Sequence, residues 1–88
     1  MKFISISALW CSSCLIMKKT IKELEEMYPQ IEFITYDLDF DEESKKYQIT
    51  SKLPVYILIK DNIETKRIIG EQKKDVLIQN IEDYLIKE

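Results

Sequence analysis

Two cysteines three positions apart, Cys11 and Cys14, stand where the hydrophobic pattern changes period, and that junction limits the fold more than any other stretch. Residues 2–8 alternate Phe3, Ser5 and Ser7 against Ile4, Ile6 and Ala8. The β-branched isoleucines suit a strand with at least one buried face. From Ser12 the apolar positions recur at helical spacing through Met17, Ile21, Leu24 and Tyr28. Lys18, Lys19, Lys22, Glu23, Glu25 and Glu26 take the opposite side of that helix. Pro29 ends it near Tyr28. The cysteine pair therefore opens a helix at the end of a strand.

Residues 31–37 alternate again, with Ile31, Phe33 and Thr35 against Glu32, Ile34 and Tyr36, and read as a second strand. Asp39, with Glu42 three positions on, fits the cap of a short helix running to about Tyr47. Residues 55–59 are an apolar run behind Pro54, Asp61 and Asn62 tolerate positive φ, and residues 64–69 supply another strand, which together make a hairpin signature. Gly70, the only glycine, closes the hairpin, and residues 76–86 resume helical spacing through Leu77, Ile78, Ile81 and Leu85. The order strand, helix, strand, helix, strand, strand, helix requires an α/β fold with helices covering a mixed sheet. Its first strand-helix-strand unit crosses over right-handed. With 88 residues and no linker or repeat, residues 1–88 are expected to form one domain.

Composition narrows the partners. A net charge of -3 with both signs interspersed gives no reason to expect nucleic acid or an anionic membrane, and a monomer is expected. The apolar stretch ending near Met17 is broken by Ser5, Ser7, Ser12 and Ser13 and is too short to span a bilayer. Lys2 followed by apolar residues and a cysteine has the outline of a secretion signal, but Trp10 stands where a lipoprotein signal carries a small residue. The expected compartment is the cytoplasm, where thiols stay mostly reduced.

Positions three apart on one helical turn bring two sulfurs within bonding range. A bridge across so short a loop removes little entropy from the unfolded chain, so a structural staple explains the pair poorly. A redox pair explains it better. Unpaired N–H groups and the positive dipole end at a helix start favour a thiolate at Cys11, the candidate nucleophile. Cys14, one turn inward, is then placed to attack the mixed disulfide that Cys11 forms with a substrate. Three other roles stay open on the residues alone. Zinc needs about four ligands, and with no histidine the chain reaches that number of thiolates only by sharing the site between two copies. Inert buried thiols and an iron-sulfur cluster bridged across a dimer are the others. The preferred reading needs no metal and no organic cofactor.

Trp10-Cys11-Ser12-Ser13-Cys14 after a strand, Leu53-Pro54-Val55 opening the third strand and Gly70 after the fourth resemble the thioredoxin-like family. The resemblance covers nearly the whole chain, although a full thioredoxin carries a further strand and helix ahead of the first strand here. It implies a four-stranded mixed sheet in the order 2-1-3-4 with three helices, and a thiol-disulfide oxidoreductase acting on protein disulfides through Cys11 and Cys14. A flavin-dependent reductase or a low-molecular-weight thiol would recycle it. Pro54 would be a cis-proline beside the cysteines, lacking an N–H so that the preceding backbone can pair with a substrate peptide. Trp10, Leu53, Ile69 and Gly70 would complete an apolar docking surface around Cys11. A glutaredoxin-like reductase using glutathione is the alternative enzyme, and a binding or redox-sensing module without turnover is the alternative from another class.

The chain also departs from the family pattern. Ser12 and Ser13 replace the usual Gly-Pro of thioredoxins and Pro-Tyr of many glutaredoxins, and their hydroxyls are expected to hydrogen-bond toward a thiolate, giving a less reducing potential. Thioredoxins place a buried acid and a lysine where Ser5 and Thr35 stand. With no carboxylate expected near Cys14, its proton must travel through water, a hydroxyl or a more distant acid. Lys52, two residues before Pro54, is a candidate to stabilise the Cys11 thiolate. The glutaredoxin reading is weakened because the double-glycine glutathione site is absent and only Gly70 could stand in.

Overall fold

A computed structural model describes residues 1–49 and 52–87. The chain forms β1 (Lys2–Ser7), α1 (Ser12–Met27), β2 (Glu32–Asp37), a 3₁₀ helix (Glu42–Tyr47), β3 (Val55–Lys60), β4 (Ile63–Ile69) and α2 (Lys74–Ile81). A π-helical turn, Glu82–Ile86, continues α2. The four strands make one sheet in the order β2-β1-β3-β4, with β1 and β2 parallel and the other neighbours antiparallel. This is the expected 2-1-3-4 order.

Strand alternation sorts the core onto two faces. Phe3, Tyr56, Leu58 and Ile68 pack under Met17 and Leu24 of α1, its C-cap Tyr28, and Leu77 and Ile81 of α2. Ile4, Ile6, Val55 and Ile57 form the other face, together with Ala8, Leu53 and both cysteines. Tyr47 and Ile49 pack against that second cluster and cover it. Phe3 stacks on Phe33 at 4.9 Å and lies 5.5 Å from Tyr56, so three aromatic rings cross the first face side by side.

Local chemistry sets the ends of the elements. Asp61 and Asn62 take φ of 55° and 64°, the left-handed pair of a two-residue hairpin, and β4 starts at Ile63, one residue earlier than its pattern suggests. The register between β3 and β4 shifts between Leu58 and Ile59, and Thr65 Oγ1 donates to the Leu58 carbonyl at 3.1 Å beside the irregularity. Helix α2 starts at Lys74, ahead of the first residue of its apolar pattern.

The short helix departs from expectation in type and cap. It is 3₁₀, and its N-cap is Asp41, not Asp39. The cause is Asp37, whose Oδ1 accepts from the backbone N–H groups of Asp39 (2.8 Å) and Phe40 (3.1 Å) and folds them into a turn. Asp41 Oδ2 accepts in return from the Asp37 N–H at 2.7 Å. The Asp39 carboxylate is thereby freed to bond elsewhere.

Candidate active site

Strand directions gather the candidate residues at one end of the sheet. β1 and β2 are parallel and in register from Lys2 with Glu32 to Ser7 with Asp37, so their C-terminal ends lie side by side. β3 runs the other way and begins at the same end, where Val55 pairs with Ile69 at the close of β4. The segments holding Trp10 to Cys14, Asp37 to Asp41, Leu53 with Pro54, and Ile69 with Gly70 therefore meet there. Parallel strands in α/β sheets commonly present ligand-facing loops at this end.

Cys11 is the N-cap residue of α1, extended at φ -92° and ψ 110°. Its Sγ accepts a hydrogen bond from the Cys14 backbone N–H at 3.3 Å. In this geometry a cap side chain satisfies an otherwise unpaired donor of the first turn, here with sulfur as acceptor. Cys11 Sγ thus sits at the N-terminal end of the α1 dipole with a main-chain donor directed at it. The expected hydrogen bonds from Ser12 and Ser13 do not form among the described residues. These serines occupy the first two helical positions, Ser12 is exposed, and the donor to Cys11 is main chain. The two thiols are not bonded to each other. Both are largely covered, with 8% of Cys11 and 5% of Cys14 exposed. Burial, followed by the hydrogen bond with Cys11, pushes the Cys14 thiol up to about 11 from 9.0, while a backbone hydrogen bond at Ala8 opposes the shift.

The Leu53–Pro54 peptide bond is cis, as the resemblance implied. The Pro54 carbonyl accepts from the Gly70 N–H at 2.8 Å, which ties the loop before β3 to the end of β4. Gly70 has φ +89°, a conformation that side chains with a Cβ rarely adopt. Around these residues the apolar candidates divide. Trp10 is 68% exposed and Ile69 44%, whereas Leu53 is buried in one cluster with Val55 and both cysteines. Leu53 can therefore meet a ligand through its backbone but not through its side chain. Lys52 is exposed and lies along Gly70, where an added Cβ would stand 3.7 Å from Lys52 Cδ.

Asp39, read from the sequence as a helix cap, instead accepts from Trp10 Nε1–H at 2.7 Å and pins the indole beside Cys11. Phe40, next to it, is among the exposed large apolar side chains. This indole-carboxylate contact spans 29 residues, and no local signal in the sequence reports it.

Behind Cys14 the sheet is unusually polar. Thr35, Ser5 and Tyr56 are adjacent across β2, β1 and β3, and they share one face. Their side chains, with Ser7, Met17 and Pro54, line a cavity of about 290 Å³ that also touches Cys14. Short hydroxyl side chains in place of large apolar ones leave this room beneath α1. A second cavity of about 230 Å³ reaches Cys14 from the side and is lined by Asp37 and Asp41. The expectation of no carboxylate near Cys14 is therefore corrected. Parallel pairing of β1 with β2 brings Asp37 level with Ser7, and its charge contributes to raising the Cys14 pKa. Tyr56 is the other residue that the sequence reading missed. Its place two residues after Pro54, on the Ser5 face, was the available signal.

Three comparisons bear on this arrangement. A family model described as Thioredoxin matches residues 2–83. The chain is similar to the H-type thioredoxin of Fagopyrum esculentum, with 27% identity over 75 residues covering 84% of this chain and 64% of that protein. It is also similar to the thioredoxin of Chlamydia trachomatis serovar D, with 28% identity over 81 residues covering 92% and 79%. Among solved structures, Fasciola hepatica thioredoxin superposes with a TM-score of 0.85 at 28% identity, covering 94% of this chain and 79% of that one. The chain spans 55% to 64% of the length of the three plant relatives it matches first.

Proposed function

The chain belongs to the thioredoxin family, and on that premise we propose that it is a thiol-disulfide oxidoreductase that reduces or exchanges disulfides in proteins. The observation that carries this reading is Cys11 at the cap of α1, its sulfur accepting the Cys14 N–H at 3.3 Å. Cys11 attacks a substrate disulfide, one substrate sulfur leaves, and a mixed disulfide forms. Cys14 then loses its proton and attacks Cys11, the second substrate sulfur leaves, and the enzyme disulfide closes. Two electrons pass to the substrate.

The exposed indole of Trp10, with Ile69, supplies apolar area for a polypeptide, and the backbone at Leu53, followed by a residue with no N–H, supports strand-like pairing with it. Pro54 and Gly70 hold that loop in place through the Gly70 N–H to Pro54 carbonyl bond, with Lys52 flanking it at the rim. This surface favours protein substrates over glutathione. Recycling falls to a reductase or a small thiol in a reducing compartment such as the cytoplasm. Among the described residues no helix is long and apolar enough to cross a membrane. Insulin reduction by dithiothreitol tests the reading. The wild-type chain accelerates precipitation of the insulin B chain, and Cys11→Ser abolishes that acceleration. No acceleration by the wild type would leave a partner-docking module as the better account.

A further inference from the structure

The hydroxyl row behind Cys14 contains one group whose chemistry the cysteine cycle above does not use. Tyr56 is fully buried, and its Oη has no hydrogen-bond partner among the described residues. Buried hydroxyls are ordinarily bonded, and an orphan calls for an explanation. Oη belongs to a side chain that lines the same cavity as Cys14, Ser5, Ser7 and Thr35. A cavity of about 290 Å³ bounded by hydroxyls is roomy and polar enough for water.

The charges around the phenol keep it a donor. Burial first, then negative charge on Cys14 and Cys11, and then Glu71 raise its pKa, so Tyr56 stays protonated wherever the cysteines work. From α1, Lys18, Lys22 and Glu25 line the cavity and are exposed to solvent. Asp37 faces Cys14 from the second cavity, and its Oδ1 is already engaged by two backbone N–H groups. Its charge disfavours a Cys14 thiolate. Tyr56 is the neutral donor in the lining of the first cavity.

We propose that Tyr56 Oη–H is the hydrogen-bond donor that receives the negative charge developing on Cys14 Sγ, and that the hydroxyl-lined cavity carries the Cys14 proton to solvent. This rests on the redox reading of the two cysteines. In the resolving step the Cys14 S–H bond breaks and its proton passes to cavity water. The Cys14–Cys11 bond forms as the bond from Cys11 to the substrate sulfur breaks, and the substrate thiolate leaves with the electron pair. A buried neutral donor in the cavity that Cys14 also lines lowers the cost of forming the Cys14 thiolate, whose charge is then passed to the leaving sulfur as the new bond forms. Tyr56 thus takes over, by hydrogen bonding, part of the work for which neither Ser5 nor Thr35 supplies a charge.

Tyr56→Phe removes one oxygen and keeps the ring beside Phe3. Two measurements separate this proposal from the reading beneath it. The first needs no turnover: in a Cys11→Ser background, the Cys14 Cβ chemical shift is titrated with and without Tyr56→Phe. The proposal expects the midpoint to rise by about one pH unit, the tenfold effect of losing one hydrogen bond to a charged group. The second uses the dithiol protein, loaded at Cys11 with a chromogenic thiol and followed after a pH jump. Tyr56→Phe slows release about tenfold below the midpoint and leaves the plateau above it unchanged, whereas a merely structural defect lowers the plateau too. An unchanged midpoint, or a uniform loss at every pH, overturns the proposal. So does slowing by Asp37→Asn but not by Tyr56→Phe, which would route the proton through the other cavity. If the wild type resolves no mixed disulfide, the redox reading fails while the titration still decides whether Tyr56 donates to Cys14.

Discussion

The resolving thiol gives the sharpest quantitative prediction, because its burial has a direct kinetic consequence. Cys14 is 5% exposed, and burial is the largest cause of its rise from 9.0 to about 11. At pH 7 an ordinary thiol of pKa 9.0 is about 1% thiolate, whereas at 11 the fraction is about 0.01%; the difference is about 3 kcal/mol. When Cys11 is tied up in a mixed disulfide it carries no charge, so its contributions to the shift lapse while the burial contribution stays. The midpoint for resolution therefore falls between 9.0 and about 11. Since only the thiolate attacks, the resolving rate should climb about tenfold per pH unit, or about a hundredfold from pH 7 to 9. The assay loads Cys11 with an aromatic thiol at low pH, where Cys14 is protonated, then jumps the pH and follows release of the coloured thiolate by stopped flow. Mass spectrometry of the loaded species confirms the site. A rate that levels off below pH 8 would refute the reasoning, since Cys14 would then be ionising as an exposed thiol does.

Other consequences follow from neighbouring features. Gly70→Ala should destabilise the fold by about 1–2 kcal/mol in urea unfolding, from its φ of +89° alone. Among the described residues an added Cβ meets only the flexible Lys52 Cδ, at 3.7 Å, so Lys52→Ala should not rescue it, and a rescue would show the effect to be steric. Tyr28 joins the end of α1 to the turn after α2 by donating to Glu82 Oε2 at 2.8 Å, and burial with that carboxylate raises its pKa from 10.0 to about 12. A raised acid stabilises the fold below its unfolded pKa, and this contribution is lost as pH rises from about 10 through 12. Tyr28→Phe should make that alkaline decline shallower, and denaturant midpoints at pH 9 and pH 11.5 that move in parallel for both proteins would contradict it.

Much of this architecture could be read in the sequence because local signals and the global fold agree. Ile4 and Ile6 against Ser5 and Ser7 set the first strand and both its faces. Asp61 and Asn62 set the hairpin, and Cys11 set the start of α1. Asp39 failed for a physical reason. A helix cap and an Asx turn draw on the same residue types, and Asp37 formed its turn first along the chain, shifting the cap to Asp41. Side chains that meet through strand pairing were harder still. Asp37 comes beside Cys14 only through the parallel register of β1 and β2, and Tyr56 joins Ser5 and Thr35 only across three strands. Leu53 and Ile69 looked alike as apolar residues, yet one is buried with the cysteines and the other faces solvent. Alternation gives a residue's face, whereas the depth of cover depends on what packs above it.

The central claim is a division of labour, with Cys11 attacking and Cys14 resolving, and a covalent trap tests it most directly. Cys11→Ser and Cys14→Ser variants are incubated with a disulfide-containing protein and separated without reductant. Cys14→Ser should accumulate a reductant-sensitive mixed disulfide with that protein, and Cys11→Ser should accumulate none. Accumulation by Cys11→Ser, or by neither variant, would contradict the account.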